Sequence, residues 1–165
     1  MPVLVTGANG LLGNHLCRTL LDDGEDVRAF VRNKSNLDGL QGLPVELHYG
    51  DVRDLQSLKE ACQGCDIVYH AAAVFAYWGY SRDEMLSTAR EGATNIVLAA
   101  KEAGVERIIL TSSSSVLGPN WERKPMSETN ASDMEGVPDY FYRKWLQEKI
   151  ALECADKEGV DLVSI

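Results

Sequence analysis

The sequence predicts an α/β fold, a doubly wound parallel sheet with helices on both faces. Six short apolar runs alternate with helical patterns along the chain. The runs are nearly continuous in apolar residues, as strands covered on both faces must be. A glycine-rich turn joins the first run to the first helix. Right-handed crossovers between such strands then favour double winding.

Each element has its own signal. "PVLVT" (2–6) reads as the first strand, and "GLLGNHLCRTLLDDG" as a helix stopped by Gly24, with His15 read as a packing residue. "DVRAFV" (26–31) and "VELHYG" (45–50) are the second and third strands. Asp54 is placed to cap a helix over "LQSLKEACQ", and "DIVYHAA" (66–72) is the fourth strand. A long helix is expected over 82–103, ending at Gly104. "RIILTS" (107–112) follows, then a stretch at 117–138 without periodicity, a helix over 139–157 and a last strand, "VDLVSI". The aperiodic stretch follows the fifth strand, on the carboxyl edge where ligands of such sheets bind.

Bulk properties narrow the class. The chain of 165 residues is long enough for one domain with a real core. A net charge of −9 without a compensating basic run argues against a nucleic-acid partner. No apolar run approaches the roughly 20 residues of a membrane span. "MPVLVTG" lacks the charged start and cleavage site of a secretory signal, so a cytoplasmic location is expected. Cys62 and Cys65 form a C-x-x-C, but here it closes a helix and leads into a strand, whereas redox pairs open one. No metal site is expected.

The turn after the first strand is "TGANGLLG", with Gly7, Gly10 and Gly13 spaced by three. One glycine permits an unusual backbone angle, the next admits a ligand close to the main chain, and the third lets the helix pack on the strand. The open helix N-terminus would then face a pyrophosphate.

T-G-x-x-G-x-x-G resembles the loop of the extended short-chain dehydrogenases/reductases, the NAD(P)-dependent epimerase/dehydratase family. That resemblance implies a Rossmann-type sheet in the order 3-2-1-4-5-6. It also implies a dinucleotide held along Thr6, Gly7, Asn9, Gly10, Leu11, Leu12 and Gly13. "GDVRD" fits the family pattern, which implies that Asp51 accepts from the adenine amino group while Val52 packs on the ring. "HAAA" matches the small-residue run along which the cofactor passes, Ala71, Ala72 and Ala73; His70 is read as structural. At the end of the second strand stand Arg32 and Lys34, with no acid. A cation welcomes a 2′-phosphate and an acid repels it, so NADP(H) is favoured, with NAD(H) the alternative.

A carbonyl reductase needs an acid for the forming alkoxide and a group to hold the carbonyl oxygen. Tyrosine, with a pKa of about 10, becomes a better proton exchanger beside an ammonium. In "DYFYRKWLQEK" the i, i+4 rule puts Tyr140 and Lys144 on one helix face, and Tyr142 away from it. Aligned with the family pattern, "SSVLG" makes Ser113 the substrate-holding hydroxyl, although periodicity does not separate it from Ser112 and Ser114. "YFYRKWLQEKIALE" resembles the dihydroflavonol-reductase-like and nucleotide-sugar-epimerase-like branches. Arg143 stands where a serine is usual, and Ala89 where the family often has an asparagine supporting the lysine through water. Glu91, Gly92 and Asn95 fit the rest of that helix motif.

The resemblance implies an NADP(H)-dependent oxidoreductase with Ser113, Tyr140 and Lys144 as its catalytic set, Tyr140 and Lys144 also touching the cofactor and Lys144 holding its ribose. The alternatives are an epimerase or dehydratase with tightly held cofactor, and a non-catalytic cofactor-binding module. The expected partner is a small-molecule substrate. Trp78, Tyr80 and Trp121 hint at an aromatic or apolar one. A homodimer through the helices near 82–103 and 139–157 is implied as well. Relatives of this kind continue well beyond position 165, so a fragment lacking its C-terminal substrate domain is expected.

Overall fold

A computed structural model describes residues 1–74, 79, 81–120, 124–129 and 134–165. Six parallel strands form one sheet: β1 (Val3–Thr6), β2 (Val27–Val31), β3 (Glu46–Tyr49), β4 (Ile67–His70), β5 (Arg107–Leu110) and β6 (Leu162–Ser164). Their order is β3-β2-β1-β4-β5-β6, as expected. The helices are α1 (Leu11–Asp22), α2 (Leu55–Cys62), α3 (Arg82–Ala103) and α4 (Asp139–Glu158).

Successive strand residues point to opposite faces, and the core divides accordingly. Leu4, Val68 and Ile108 join Leu58 of α2, Ile96 and Val97 of α3 and Ala155 of α4 on one face. Val3, Val5, Ala29 and Val31 meet Cys17 and Leu20 of α1 on the other. Cys62 and Cys65 are buried free thiols in the first of these layers, and burial pushes Cys62 up to about 12. A helix end and a strand start account for the C-x-x-C.

Helix ends follow their local chemistry. Asp54 accepts from the Gln56 amide at the start of α2. Ser81 and Glu84 form a reciprocal capping box on α3, and Gly104 closes it with φ 72°. The strands are one to three residues shorter than their apolar runs, β1 and β2 losing only their first residue. The start of the aperiodic stretch overlaps a short 3-10 turn, Ser114–Leu117, whose i+3 bonding leaves no helical periodicity. His15 is exposed on α1 rather than packed. Trp78, Tyr80 and Trp121 lie outside the described residues.

Candidate functional site

The strand order reverses between β1 and β4, and the loops that leave these two strands diverge there. The β1 loop turns at Gly7, whose φ of 69° lies in the left-handed region. A Cβ on Gly7 would stand 2.9 Å from the Ala72 Cα, so this loop crosses directly over the chain leaving β4. Thr6 locks the crossing: its Oγ1 accepts from the Ala72 amide at 3.2 Å and pairs with His70 Nδ1 at 2.9 Å. His70 is fully buried, which pushes its pKa down to about 3 and keeps the ring neutral. It is a tie between strands, as its sequence context suggested.

Gly13 plays a different part from the one its spacing suggested. A Cβ there would overlap the Gly7 carbonyl oxygen and stand 2.8 Å from the Ala8 Cα. The helix therefore packs on the loop's own backbone rather than on the strand. Gly10 caps α1 without a side-chain hydrogen bond, and no acid stands in the first turn. The first-turn N–H groups, which no helix can satisfy internally, are left facing outward.

Beside this turn opens a cavity of about 320 Å³, within the range of small-molecule and cofactor sites. Gly7, Asn9 and Gly10 form one wall, Ala71, Ala72 and Ala73 another. Its far end is made by Phe30, Arg32, Asp51, Val52 and Arg53. Gly50 makes that end possible, since a Cβ would come within 2.6 Å of the Phe30 ring and of Ser57 Oγ. Val52 is held from α3: the Asn95 side chain donates to its carbonyl at 3.1 Å, and a Cβ on Gly92 would press on its side chain.

Among the expected cofactor residues, Gly7, Asn9, Gly10, Arg32, Asp51, Val52, Ala71, Ala72 and Ala73 are brought together here. Thr6 is buried behind the wall, and Gly13 supports the turn. Leu11 and Leu12 are 82% and 52% exposed outside the lining, and exposed Lys34 also stands outside it. Arg53 joins the site although its position in "GDVRD" did not mark it. It grips the Asp51 carboxylate through Nε at 3.1 Å, a terminal nitrogen at 2.9 Å and its amide at 2.9 Å. These bonds hold the Asp51 carboxyl below its usual range. A carboxylate accepts about four hydrogen bonds, so one remains for a ligand.

A narrower crevice adjoins the cavity and shares Ala72, Ala73, Val74 and Thr88 with it. Tyr140 and Lys144 line it from α4, and Ala89 from α3. Lys144 is buried, and its Nζ donates to the Thr111 carbonyl at 2.6 Å and to Gln147 Oε1 at 2.8 Å. Burial lowers its pKa to about 8, against the pull of Glu148. Arg143 is buried too, donating to the Val74 carbonyl at 3.0 Å and so fastening the β4 loop to α4. Tyr142 packs against Trp145 with ring centroids 5.7 Å apart and lines neither space. Ser113 caps the 3-10 turn, its Oγ accepting from the Ser115 amide at 3.2 Å, and lines neither space. Ser112 Oγ is buried without a partner among the described residues.

A glycine turn under an open helix end, at the reversal of a six-stranded parallel sheet, agrees with the comparisons to known proteins. The family model described as NAD dependent epimerase/dehydratase matches residues 3–165. The chain belongs to that family. It is 38% identical to "Sterol demethylase protein B" of Methylococcus capsulatus, over 100% of the chain and 50% of that protein. Identity to "Cinnamoyl-CoA reductase 1" of Petunia hybrida is 36%, over 99% of the chain and 52% of that protein. The crystal structure of gox2253 superposes with a TM-score of 0.92 at 32% identity, covering 99% of this chain and 50% of that one. The chain thus spans about half the length of the relatives it matches. NAD(P) is the cofactor typical of this family. Among the described residues no helix is long and apolar enough to cross a membrane.

Proposed function

We propose that this family member is the cofactor-binding half of an NADP(H)-dependent reductase acting on a carbonyl or alcohol carbon of a small molecule. The observation that carries the reading is the crevice lined by Tyr140 and Lys144, which adjoins the glycine-loop cavity and shares Ala72 and Ala73 with it. The residues fit a dinucleotide. The N–H groups of α1 suit a pyrophosphate, the alanine run leaves room beside the backbone, and Phe30 and Val52 offer an apolar seat for a base. When bound, the cofactor supplies or accepts the hydride.

In this reading Tyr140 gives a proton to the substrate oxygen, or takes it back in oxidation. Lys144 favours the phenolate while it is an ammonium and donates to the cofactor ribose. Ser113 turns from its turn-capping bond to hold the substrate oxygen. The remaining length of the relatives would complete the substrate pocket. A reductase is favoured over an epimerase by "Cinnamoyl-CoA reductase 1" at 36% identity. The sugar-epimerase structures from Thermotoga maritima and Thermus thermophilus are only 20% and 23% identical and speak for the fold alone.

NADP(H) is favoured by Arg32 at the far end of the cavity and by the lack of an acid closing β2. Fluorescence titration should find NADPH bound more tightly than NADH. Arg32→Asp should weaken NADPH by roughly 10–100-fold, the loss of a charge-assisted hydrogen bond, and spare NADH. Equal wild-type affinity for both cofactors would remove the NADP(H) assignment, and cofactor retained through purification would point to an epimerase instead.

A homodimer through α3 and α4 belongs to the same reading. Leu152 is 41% exposed on α4, and Lys149 lies over the Trp145 ring at 5.0 Å. Sedimentation equilibrium should return twice the chain mass, and a monomer would count against this interface.

A further inference from the structure

Lys144 would be costly to bury without acceptors for its ammonium, so what surrounds it matters. Two of its three N–H donors are taken among the described residues, one by the Thr111 carbonyl and one by Gln147 Oε1. Gln147 is itself only 4% exposed. Its Nε2 donates to the Ala72 carbonyl at 3.3 Å. The direction of this amide is set by chemistry. An ammonium has only donors, so the amide oxygen must face Lys144, and the nitrogen must then find the carbonyl. Ala72 belongs to the wall shared by cavity and crevice. Across the crevice, α3 presents Met85, Thr88 and Ala89, none of which is charged.

We propose that Gln147 is the positioning residue for Lys144, a neutral amide that couples the lysine ammonium to the cavity wall at Ala72 and aims its remaining donor at the ligand. The inference rests on the role given to Lys144 above. Gln147 supplies an acceptor without a charge, so the ammonium is held in place yet can lose its proton near neutrality. A carboxylate at the same place would trap the ammonium as an ion pair, and a hydrocarbon would leave its donor unsatisfied. The other ionisable neighbours are neutral His70 of β4, and Glu148, Tyr140 and Arg143 of α4 itself. Among the described residues the ammonium donates to Gln147 and to one backbone carbonyl.

The test follows the Lys144 side-chain nitrogen by NMR in the full-length protein, with the resonance assigned by Lys144→Met. The wild-type midpoint is expected at about 8. Gln147→Met should move it down, and Gln147→Glu up, each by about one pH unit. Gln147→Met should also weaken NADPH by about tenfold at pH 7, the loss expected when the donor is no longer aimed. Midpoints that coincide with the wild type, or that move the same way in both variants, overturn the proposal. If the wild-type protein does not bind NADPH at all, the reductase reading falls, while the lysine titration still decides whether Gln147 governs Lys144.

Discussion

Replacing Tyr140 by phenylalanine should lower carbonyl reduction by about 10²–10⁴-fold, the usual worth of a positioned proton donor, and leave NADPH affinity nearly unchanged. The phenyl ring keeps the packing of Tyr140 against Phe141, whose ring centroid lies 6.4 Å away, and only the hydroxyl is lost. The readout is NADPH consumption by the full-length protein against a panel of aromatic and aliphatic aldehydes and ketones. The pH dependence of the wild-type rate adds a second check. Lys144 has its pKa lowered to about 8, so its ammonium is present below that pH and is lost above it. Reduction should accordingly decline on the alkaline side of about pH 8. A phenylalanine variant as fast as the wild type would eliminate Tyr140 as the acid, and with it the catalytic reading of the crevice.

Gly13→Ala should be the most damaging single methyl group in the cofactor loop. Gly13 lies in α1, where alanine is the better helix former, so propensity favours the substitution. Space forbids it, because the new Cβ would meet backbone at Gly7 and Ala8, which cannot swing aside as a side chain can. Overpacking of this kind costs about 1–3 kcal/mol, and each kcal/mol lowers the melting midpoint of a domain this size by about 2–4 °C. Relief requires the loop to shift, so NADPH binding should fall in the same variant. Gly24→Ala is the control: φ is 86° but nothing stands within 4 Å of the new Cβ. Its cost is confined to the left-handed backbone, about 1–2 kcal/mol, with cofactor affinity intact. Equal behaviour of the two variants in thermal melts and NADPH titration would contradict the steric account.

Much of this architecture is legible in the chain because the signals are local. Strands show as short apolar runs, and the bounds of α3 follow from Ser81, Glu84 and Gly104, residues adjoining or inside the helix. The pairing of Tyr140 with Lys144 is likewise a matter of spacing within one helix. Asp51 and Arg53 are two positions apart, yet their grip was missed, because an i, i+2 pair on a loop has no periodic signature. Lys34 is placed by the tertiary structure alone. It is near Arg32 in sequence, but the chain turns after β2 and leaves it outside the cavity lining.

The order of elements, the glycine turn and the helix face carrying tyrosine and lysine are readable from the chain. Each depends on residues within a few positions of one another, where backbone geometry is nearly independent of context. What those groups touch follows from contacts between distant parts of the chain. Thr6 meets Ala72 across 66 positions, Lys144 meets Thr111 across 33, and Gln147 meets Ala72 across 75. Contacts at such separations arise only when parallel strands bring distant loops to one sheet edge, and a glutamine on a helix gives no local sign that it will face a buried ammonium.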